Sequence, residues 1–181
     1  RLIIIAGRTA SGKSTLARNY IELALKAQGS RLNLVLFDMK RADFTKAKQD
    51  FLCAGVVHVY TRDDNPIEKL EILCGTAWSN PDKKYLVVAD AFEDISYEVG
   101  ERFWRAITRL RKLGNCITIL ITSRIDNVLV PEKYLDVDTK IMLSRYSSEA
   151  IEYLRHSYPS FRMGVVENLL PHQFMVLEQG Q

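Results

Sequence analysis

Short apolar runs alternate with helix-length segments along most of this chain, and the alternation restricts the folds it can adopt. The runs with strand character cover residues 2–6, 34–37, 56–60, 85–89 and 117–122. Strands that alternate with helices form right-handed crossovers and a mostly parallel sheet, covered on both faces and therefore apolar along each strand. We expect an α/β fold with helices on both sides of one central sheet.

Glycine and proline mark the boundaries of several helix-length segments between the predicted strands. Helices are predicted at 14–28, 44–53, 67–78 and 96–113. Gly29 ends the first segment and Pro66 precedes the third, as expected of a C-terminal glycine and a proline in the first turn. Towards the end of the chain, further strands at 139–143 and 174–177 flank a helix at 147–156.

Composition favours one globular domain over residues 1–181. The chain is 47% hydrophobic and 26% charged, which excludes disordered and collagen-like classes and suffices for a core. No apolar run approaches the ~20 residues that span a bilayer, so neither a membrane segment nor a signal peptide is predicted. Cys53, Cys74 and Cys116 lack metal-ligand spacing, and we expect buried, reduced thiols in an intracellular protein.

A glycine-rich segment joins the first predicted strand to the first predicted helix. It consists of Gly7, Arg8, Thr9, Ala10, Ser11, Gly12, Lys13 and Ser14, followed by Thr15. This is the pattern G-x-x-x-x-G-K-S in the strand-to-helix context that it requires. The two glycines let the backbone curl, so that its N–H groups and the helix N-terminus face phosphate oxygens.

The side chains of this segment specify the ligand further. Lys13 supplies a positive charge for the β and γ phosphates, the Ser14 hydroxyl suits Mg²⁺, and Thr15 suits the α phosphate. The segment therefore predicts binding of ATP with Mg²⁺. A carboxylate at the end of a neighbouring strand should complete the magnesium shell. Asp90 follows the apolar run 85–89 and is favoured, whereas Asp38 competes but directly follows the first crossover.

Three segments of the chain resemble the FtsK/HerA superfamily of DNA-pumping ATPases. Residues 35–41 resemble its strand followed by Asp-Pro-Lys, with Met39 at the proline, and residues 88–95 resemble its Walker B stretch. Residues 119–124 resemble its strand that ends Ala-Thr-Gln-Arg. The match reaches from residue 2 to about 145. It implies a three-layer, RecA-like (ASCE) P-loop NTPase with an additional strand between the loop strand and the Walker B strand, and a few added C-terminal strands.

The chain departs from that family at two positions. Ala91 stands where the resemblance implies a catalytic glutamate, and Ser123 stands where it implies a glutamine. Either Glu93 or Asp94 polarises the attacking water, or this chain binds nucleotide without turnover. With Lys13 and Asp90, these residues form the predicted catalytic set.

Basic residues concentrate in the first quarter of the chain. Residues 1–50 carry ten basic and four acidic side chains, a net charge of +6, against −3 for residues 51–181. The group that follows the second strand comprises Lys40, Arg41, Lys46 and Lys48. Such residues suit sequence-independent contacts to the phosphates of double-stranded DNA, although solvated surface lysines are an equally good interpretation.

The predicted helix at 96–113 presents an apolar face and a basic stripe. Phe103, Ile107 and Leu110 share the apolar face, and the stripe comprises Arg102, Arg105, Arg109 and Lys112. The stripe is either a solvated surface or a functional one. The resemblance implies that an arginine from one subunit of a ring reaches the nucleotide of the next, with Arg102, Arg105 and Arg124 as candidates. Trp78 and Trp104 are expected to pack in the core rather than to stack on bases.

The resemblance implies a Mg²⁺-dependent ATPase that assembles into a homo-oligomeric ring, a hexamer or pentamer, and pumps double-stranded DNA. The short chain is most similar to viral ATPases that package a genome into a preformed capsid. Such a protein would work in the host cytoplasm, with a capsid or internal-membrane portal component and in association with the virion or procapsid. The alternatives are a cellular or plasmid translocase core, a non-hydrolysing nucleotide-binding module, and a small P-loop kinase. The absence of arginine from residues 125–137, where a kinase lid would lie, argues against the kinase.

The Lys13→Ala variant should lose both ATP binding and ATP hydrolysis, because the phosphate charge would lose its nearest lysine. Titration with a fluorescent ATP analogue measures the first effect and phosphate release the second. Unchanged affinity for ATP would show that the loop at residues 7–14 does not bind phosphate.

Overall fold

The computed structural model describes residues 1–44, 46–95, 100–126, 129–131, 140–144, 146–157, 168–169 and 173–178. Its strands are β1 (Leu2–Gly7), β2 (Leu32–Asp38), β3 (Val56–Tyr60), β4 (Lys84–Asp90), β5 (Cys116–Thr122), β6 (Lys140–Ser144) and β7 (Met175–Glu178). Its α-helices are α1 (Lys13–Gln28), α2 (Ala47–Asp50), α3 (Pro66–Ser79), α4 (Glu101–Lys112) and α5 (Ser148–Ser157). Two short 3-10 turns lie at Gly29–Arg31 and Arg62–Asp64.

The seven strands form one sheet in the order β3-β2-β4-β5-β1-β6-β7. All neighbouring pairs are parallel except β6 with β7, which are antiparallel. β5 therefore lies between β1, which leads into the glycine-rich loop, and β4, which ends at Asp90. The α/β class, the mostly parallel sheet and the additional strand between these two strands are confirmed.

Helices cover both faces of the sheet and create two separate cores. On one face, Ala17, Ile21 and Leu25 of α1 recur at intervals of four residues and pack against β1, β2, β4 and β5. On the other face, α3 and α4 pack against the same strands. Within this second core, the rings of Phe92 and Phe103 stack at a centroid distance of 5.7 Å, and Trp104 meets both edge-on at 6.1 and 5.3 Å. Burial from both sides explains why the central strands read as continuous apolar sequence.

Local sequence explains where the helices start and stop. α1 begins after Gly12 and ends before Gly29, and both glycines have positive φ angles, 91° and 53°, which favour glycine. α3 starts at Pro66, whose missing N–H would have no partner in the first helical turn anyway. The boundaries of these two helices differ from the predicted ones by a single residue at most.

One predicted helix is shorter in the structure, and another is described only in part. The predicted helix at 44–53 is reduced to the four residues of α2, because the chain before it forms an irregular loop held by a buried carboxylate. The predicted helix at 96–113 begins at Glu101 among the described residues, and its start at 96–99 lies outside them. Its two faces are as expected: Phe103, Ile107 and Leu110 are buried, and the four basic residues of the stripe are exposed.

Two expectations about burial were wrong. Cys53 is exposed, because it follows the short helix α2 at the surface, whereas Cys74 and Cys116 are buried free thiols. Trp78 is 75% exposed near the C-terminal end of α3, whereas Trp104 is buried and donates its indole N–H to the Leu129 carbonyl at 3.1 Å. Helical periodicity places both tryptophans on helices but does not identify the neighbours that would cover them.

Among the described residues, none of the helices has both the length and the apolar character needed to cross a bilayer.

The three thiols should differ sharply in reactivity. Burial raises the pKa of Cys74 and of Cys116 to about 11, so both remain protonated at pH 8, and the thiolate is the reactive form. Iodoacetamide should therefore modify Cys53 alone in the native protein, and mass spectrometry of the intact chain should show one added group. Modification of Cys74 at the rate of Cys53 would show that α3 does not stay packed on the sheet.

Candidate phosphate-binding site

The glycine-rich loop emerges from the buried strand β1 and turns into α1 at the carboxyl edge of the sheet. Ala10 and Gly12 have positive φ angles of 61° and 91°, and the Ser11 N–H donates to the Arg8 carbonyl at 3.2 Å. These left-handed residues curl the backbone between β1 and the first turn of α1. The first N–H groups of a helix have no partner within that helix, so this turn presents donors to an anion.

Lys13 lies at the start of α1 and folds back over the loop. Its Nζ donates to the Arg8 carbonyl at 2.8 Å. Burial lowers the pKa of Lys13, and repulsion from Lys40 lowers it further, while Asp90, Glu93 and Asp43 oppose that shift. The charge of Lys13 therefore interacts with all four of these side chains, which come from two segments, the loop after β2 and the end of β4 with its turn.

Ser14 contacts a residue that sequence reasoning missed. Its hydroxyl donates to Asp43 Oδ2 at 2.7 Å, across the gap between α1 and the loop that follows β2. Asp43 could have been found from the sequence, because it is an acidic residue five positions after the carboxyl end of a parallel strand. The irregular path of residues 39–44 brings it to Ser14, and strand periodicity could not predict that path.

Asp38 determines the path of this loop. The side chain is 1% exposed, and its two oxygens accept hydrogen bonds from the N–H groups of Ala42 at 3.2 Å and Phe44 at 3.0 Å. Arg18 of α1 also donates to the Asp43 carbonyl, which ties the loop to the helix. Both Asp38 oxygens are therefore engaged with backbone, which supports Asp90 over Asp38 as the magnesium carboxylate.

Asp90 lies at the end of β4, in register with Asp38 on the adjacent strand β2. It is 3% exposed, and burial, followed by the nearby carboxylate of Asp43, raises its pKa to about 7. Within the described part of the chain, Asp90 Oδ2 has no hydrogen-bond partner. A buried carboxylate beside a second carboxylate and a serine hydroxyl provides the oxygen ligands that Mg²⁺ prefers, and such a cation would offset their repulsion.

The turn after β4 separates Ala91 from Glu93. Ala91 has a positive φ of 53°, is 1% exposed, and packs in the core on the α3 and α4 side of the sheet. Glu93 instead reaches β5, where its Oε1 accepts hydrogen bonds from the Ser123 N–H at 3.2 Å and the Ser123 hydroxyl at 3.0 Å. The structure thus joins two of the predicted catalytic residues. Asp94 follows on the same turn, where its N–H donates to the Ala91 carbonyl at 2.9 Å.

The three candidate arginines occupy two different places. Arg102 and Arg105 are exposed on α4, where Arg102 forms two hydrogen bonds with the Glu71 carboxylate, at 2.8 and 3.1 Å. Arg105 lies 3.8 Å from the Glu101 carboxylate. Arg124 directly follows Ser123 and pairs with Asp126 at 2.5 Å. Of the three, Arg124 is therefore adjacent in sequence to the Glu93–Ser123 contact.

The four basic residues after β2 also lie in different places. Lys40 is close enough to Lys13 and Asp90 to influence the pKa of each, so it belongs to the phosphate-binding cluster. Arg41 is exposed and paired with Asp63, and Lys46 is exposed beside α2. The side chain of Lys48 lies outside the described residues.

Solved structures share this fold over nearly the whole chain. The genome packaging NTPase B204 of Sulfolobus turreted icosahedral virus 2, in complex with ATP-gammaS, is similar with a TM-score of 0.72 and 19% identity over 98% of this chain and 91% of B204. The pCW3 conjugation coupling protein TcpA, with ATPgS, has a TM-score of 0.71 and 15% identity over 99% of this chain and 57% of TcpA.

A third similar structure contains ATPases 2 and 3 of EssC from Geobacillus thermodenitrificans. Its TM-score is 0.68 and its identity 14%, over 98% of this chain and 37% of that solved EssC chain. No protein-family model and no curated protein sequence matches the chain. The structural likenesses confirm the P-loop NTPase fold expected from the resemblance to the FtsK/HerA superfamily.

Replacing Asp38 by alanine should destabilise the protein by about 2–4 kcal/mol, because two backbone N–H groups would lose their buried acceptor. The free energy of unfolding, from urea denaturation followed by circular dichroism, measures this loss. Asp82→Ala, in an exposed turn, is the control and should change stability by less than about 0.5 kcal/mol. Equal stability of the two variants would contradict the role assigned to Asp38.

Proposed function

We propose that this chain is a Mg²⁺-dependent ATPase that drives translocation of double-stranded DNA. The observation that supports this most directly is the cluster around the glycine-rich loop, where Lys13, Ser14, Asp43 and Asp90 meet at the carboxyl edge of the sheet. Ligands of open α/β sheets bind at this edge. The combination of a phosphate-binding turn, a lysine and paired carboxylates suits a nucleoside triphosphate with its cation.

Each residue of the cluster has a distinct task in this proposal. The loop N–H groups and Lys13 hold the phosphates, and Lys40 adds a second positive charge to the same site. Ser14, Asp43 and Asp90 would hold Mg²⁺, which would supply positive charge to the phosphate oxygens. Asp38 positions Asp43 by holding the loop between them. All these contributions stabilise charge in a fixed geometry, which is the main requirement of phosphoryl transfer.

Glu93 is the proposed general base. The resemblance implies a glutamate directly after Asp90. The residue there is Ala91, whose methyl group lies in the core on the α3 and α4 side of the sheet. Glu93 is partly buried at the nucleotide edge, and its bonds to Ser123 orient the carboxylate. A base must lie within hydrogen-bond reach of the attacking water, and an oriented carboxylate on this turn supports that role. Ser123 is then a positioning residue that also brings a hydroxyl to the γ phosphate.

A non-hydrolysing nucleotide-binding module is the second candidate function, and Ala91 is the observation that favours it. Its side chain is buried in an apolar environment, so an Ala91→Glu change would place a carboxylate in that core or distort the turn. This substitution is therefore a poor way to restore activity. The two candidates are better distinguished by phosphate release from the parent protein, and loss of that release on removal of Glu93 would assign it to this site.

The fold and the basic residues support double-stranded DNA as the partner. B204 is described as a genome packaging NTPase and TcpA as a conjugation coupling protein. The likeness in fold to B204 supports packaging of a viral genome as the biological task. We propose a homo-oligomeric ring, a hexamer or pentamer, in which Arg102, Arg105 or Arg124 reaches the nucleotide of a neighbouring subunit. Lys46, with Arg41 and Lys48, would contact the DNA backbone, whereas Lys40 serves the nucleotide site.

The proposal also assigns a setting. A packaging motor would act in the host cytoplasm and meet a capsid or internal-membrane portal component, so association with the virion or procapsid is expected. A cellular or plasmid translocase core, as the TcpA likeness suggests, would differ in this setting but not in its chemistry.

Glu93→Gln should lower the rate of ATP hydrolysis by at least about a hundredfold while leaving ATP affinity within about threefold of the parent, because the amide cannot accept the proton of the attacking water. Phosphate release, with and without double-stranded DNA, measures the rate. Asp94→Asn is the matched control on the same turn and should retain most of the activity.

Three results would contradict parts of this proposal. Full activity of Glu93→Gln with loss in Asp94→Asn would assign the base to Asp94. ATP binding by the parent with no hydrolysis under any condition would favour the non-hydrolysing module. Hydrolysis that double-stranded DNA neither stimulates nor inhibits would support an ATPase of another kind.

A further inference from the structure

An exposed tryptophan lies on the face of the molecule that carries α3 and α4. Trp78 is 75% exposed, although large aromatic side chains on a helix next to a core are usually covered. It lies near the C-terminal end of α3, at the amino edge of the strands and thus opposite the phosphate-binding site. Its exposure has no role in nucleotide binding as proposed above.

Trp78 separates two hollows that together form a groove. The first, of about 470 Å³, runs between α3 and α4 and includes Cys74, Gly75 and Leu113. The second, of about 450 Å³, continues past Trp78 to Pro81 and Gly114. The two hollows share Trp78, Lys112 and Leu113, and their walls are mostly apolar. The groove is therefore continuous along the base of both helices.

The rim of this groove is positively charged. Arg109 and Lys112 lie on its α4 side and Lys84 at its far end, and all three side chains are exposed. Within the described residues, none of these three cations forms an ion pair. Glu71 is the acidic residue of the lining, and its carboxylate is engaged by Arg102. An occupant that complements this groove must present carboxylates around an apolar centre.

Gly75 lines the groove without a side chain, which leaves open space on its α3 wall. It lies in the interior of α3, where glycine is less favourable than alanine. A Cβ atom placed there would meet no atom within 4 Å, so packing inside the chain does not require a glycine. Missing side-chain volume on the wall of an open apolar groove leaves room for an external group.

We propose that the groove between α3 and α4 binds an acidic amphipathic peptide segment of a partner protein. Its apolar side chains would pack on Trp78 and above Gly75, and its carboxylates would face Arg109, Lys112 and Lys84. An amphipathic helix laid into an apolar groove is a common mode of peptide recognition. The mostly apolar walls between the three cations favour such a peptide over a nucleic acid, whose surface facing the cations would be charged throughout.

Two synthetic peptides of about 18 residues test the proposal. Both carry Leu and Phe at the helical intervals i, i+3, i+4 and i+7, and their polar positions are all Glu in one peptide and all Lys in the other. Fluorescence anisotropy of the labelled peptides measures binding to the full chain. The Glu peptide should bind with a dissociation constant on the order of 10 μM, and the Lys peptide at least about tenfold more weakly.

Variants of the chain locate the binding site. Lys112→Glu should weaken binding of the Glu peptide at least about tenfold by charge reversal, and Gly75→Leu should do so by filling the groove. Lys26→Glu, exposed on α1 at the opposite face of the sheet, is the matched control and should have no effect. All three positions are exposed, and unchanged circular dichroism and Tm would show that each variant is folded. ATP binding should remain at the parent level in each variant.

Several outcomes would overturn the proposal. They are the absence of binding by the Glu peptide, equal binding of the two peptides, and binding that is insensitive to Lys112→Glu and Gly75→Leu. Double-stranded DNA binding that Lys112→Glu abolishes would identify a nucleic-acid surface instead. Self-association that Trp78→Ser abolishes in sedimentation would identify a contact between two copies of this chain. None of these results bears on ATP hydrolysis, so failure here is distinct from failure of the proposed function.

Discussion

The buried carboxylate of Asp38 is the interaction on which the geometry of the phosphate-binding site depends. It accepts backbone hydrogen bonds from Ala42 and Phe44 and so closes the loop after β2 into a fixed shape. That shape carries Asp43 to the Ser14 hydroxyl. A carboxylate that is almost fully buried requires such partners, because an unpaired buried charge is costly. The site therefore depends on a residue that we do not place in contact with the nucleotide.

The strand order brings the other half of the site together. β5 lies between β1 and β4, so the end of β5 is next to both the glycine-rich loop and the turn after Asp90. Glu93 can consequently bond to Ser123, although thirty residues separate them. The positive φ of Ala91 turns the chain sharply after β4 and lets its methyl group enter one core while Glu93 stays at the sheet edge. In the proposed function, the general base is therefore Glu93, the third residue after Asp90, and not the residue at position 91.

The two ends of the parallel strands serve different purposes in these proposals. The carboxyl edge gathers the charged residues around the loop, and the face with α3 and α4 ends in an apolar groove at the other edge. Both proposed sites contain positively charged side chains. In the phosphate-binding site these lie near buried carboxylates, and in the groove they lie near the exposed Trp78. The nucleotide and the acidic peptide would therefore bind at opposite ends of the strands.

Sequence alone determined the features that depend on local patterns. The apolar runs predicted all seven strands, and Gly12, Gly29 and Pro66 determined where α1 and α3 begin or end, because these residues restrict or free the backbone locally. The glycine-rich loop, with Lys13 and Ser14, was identifiable for the same reason. Asp43, the Glu93–Ser123 contact and the exposure of Trp78 and Cys53 were not. Each of these depends on which distant segments pack together. Only the tertiary structure decided this packing, through the order of the strands and the irregular loop held by Asp38.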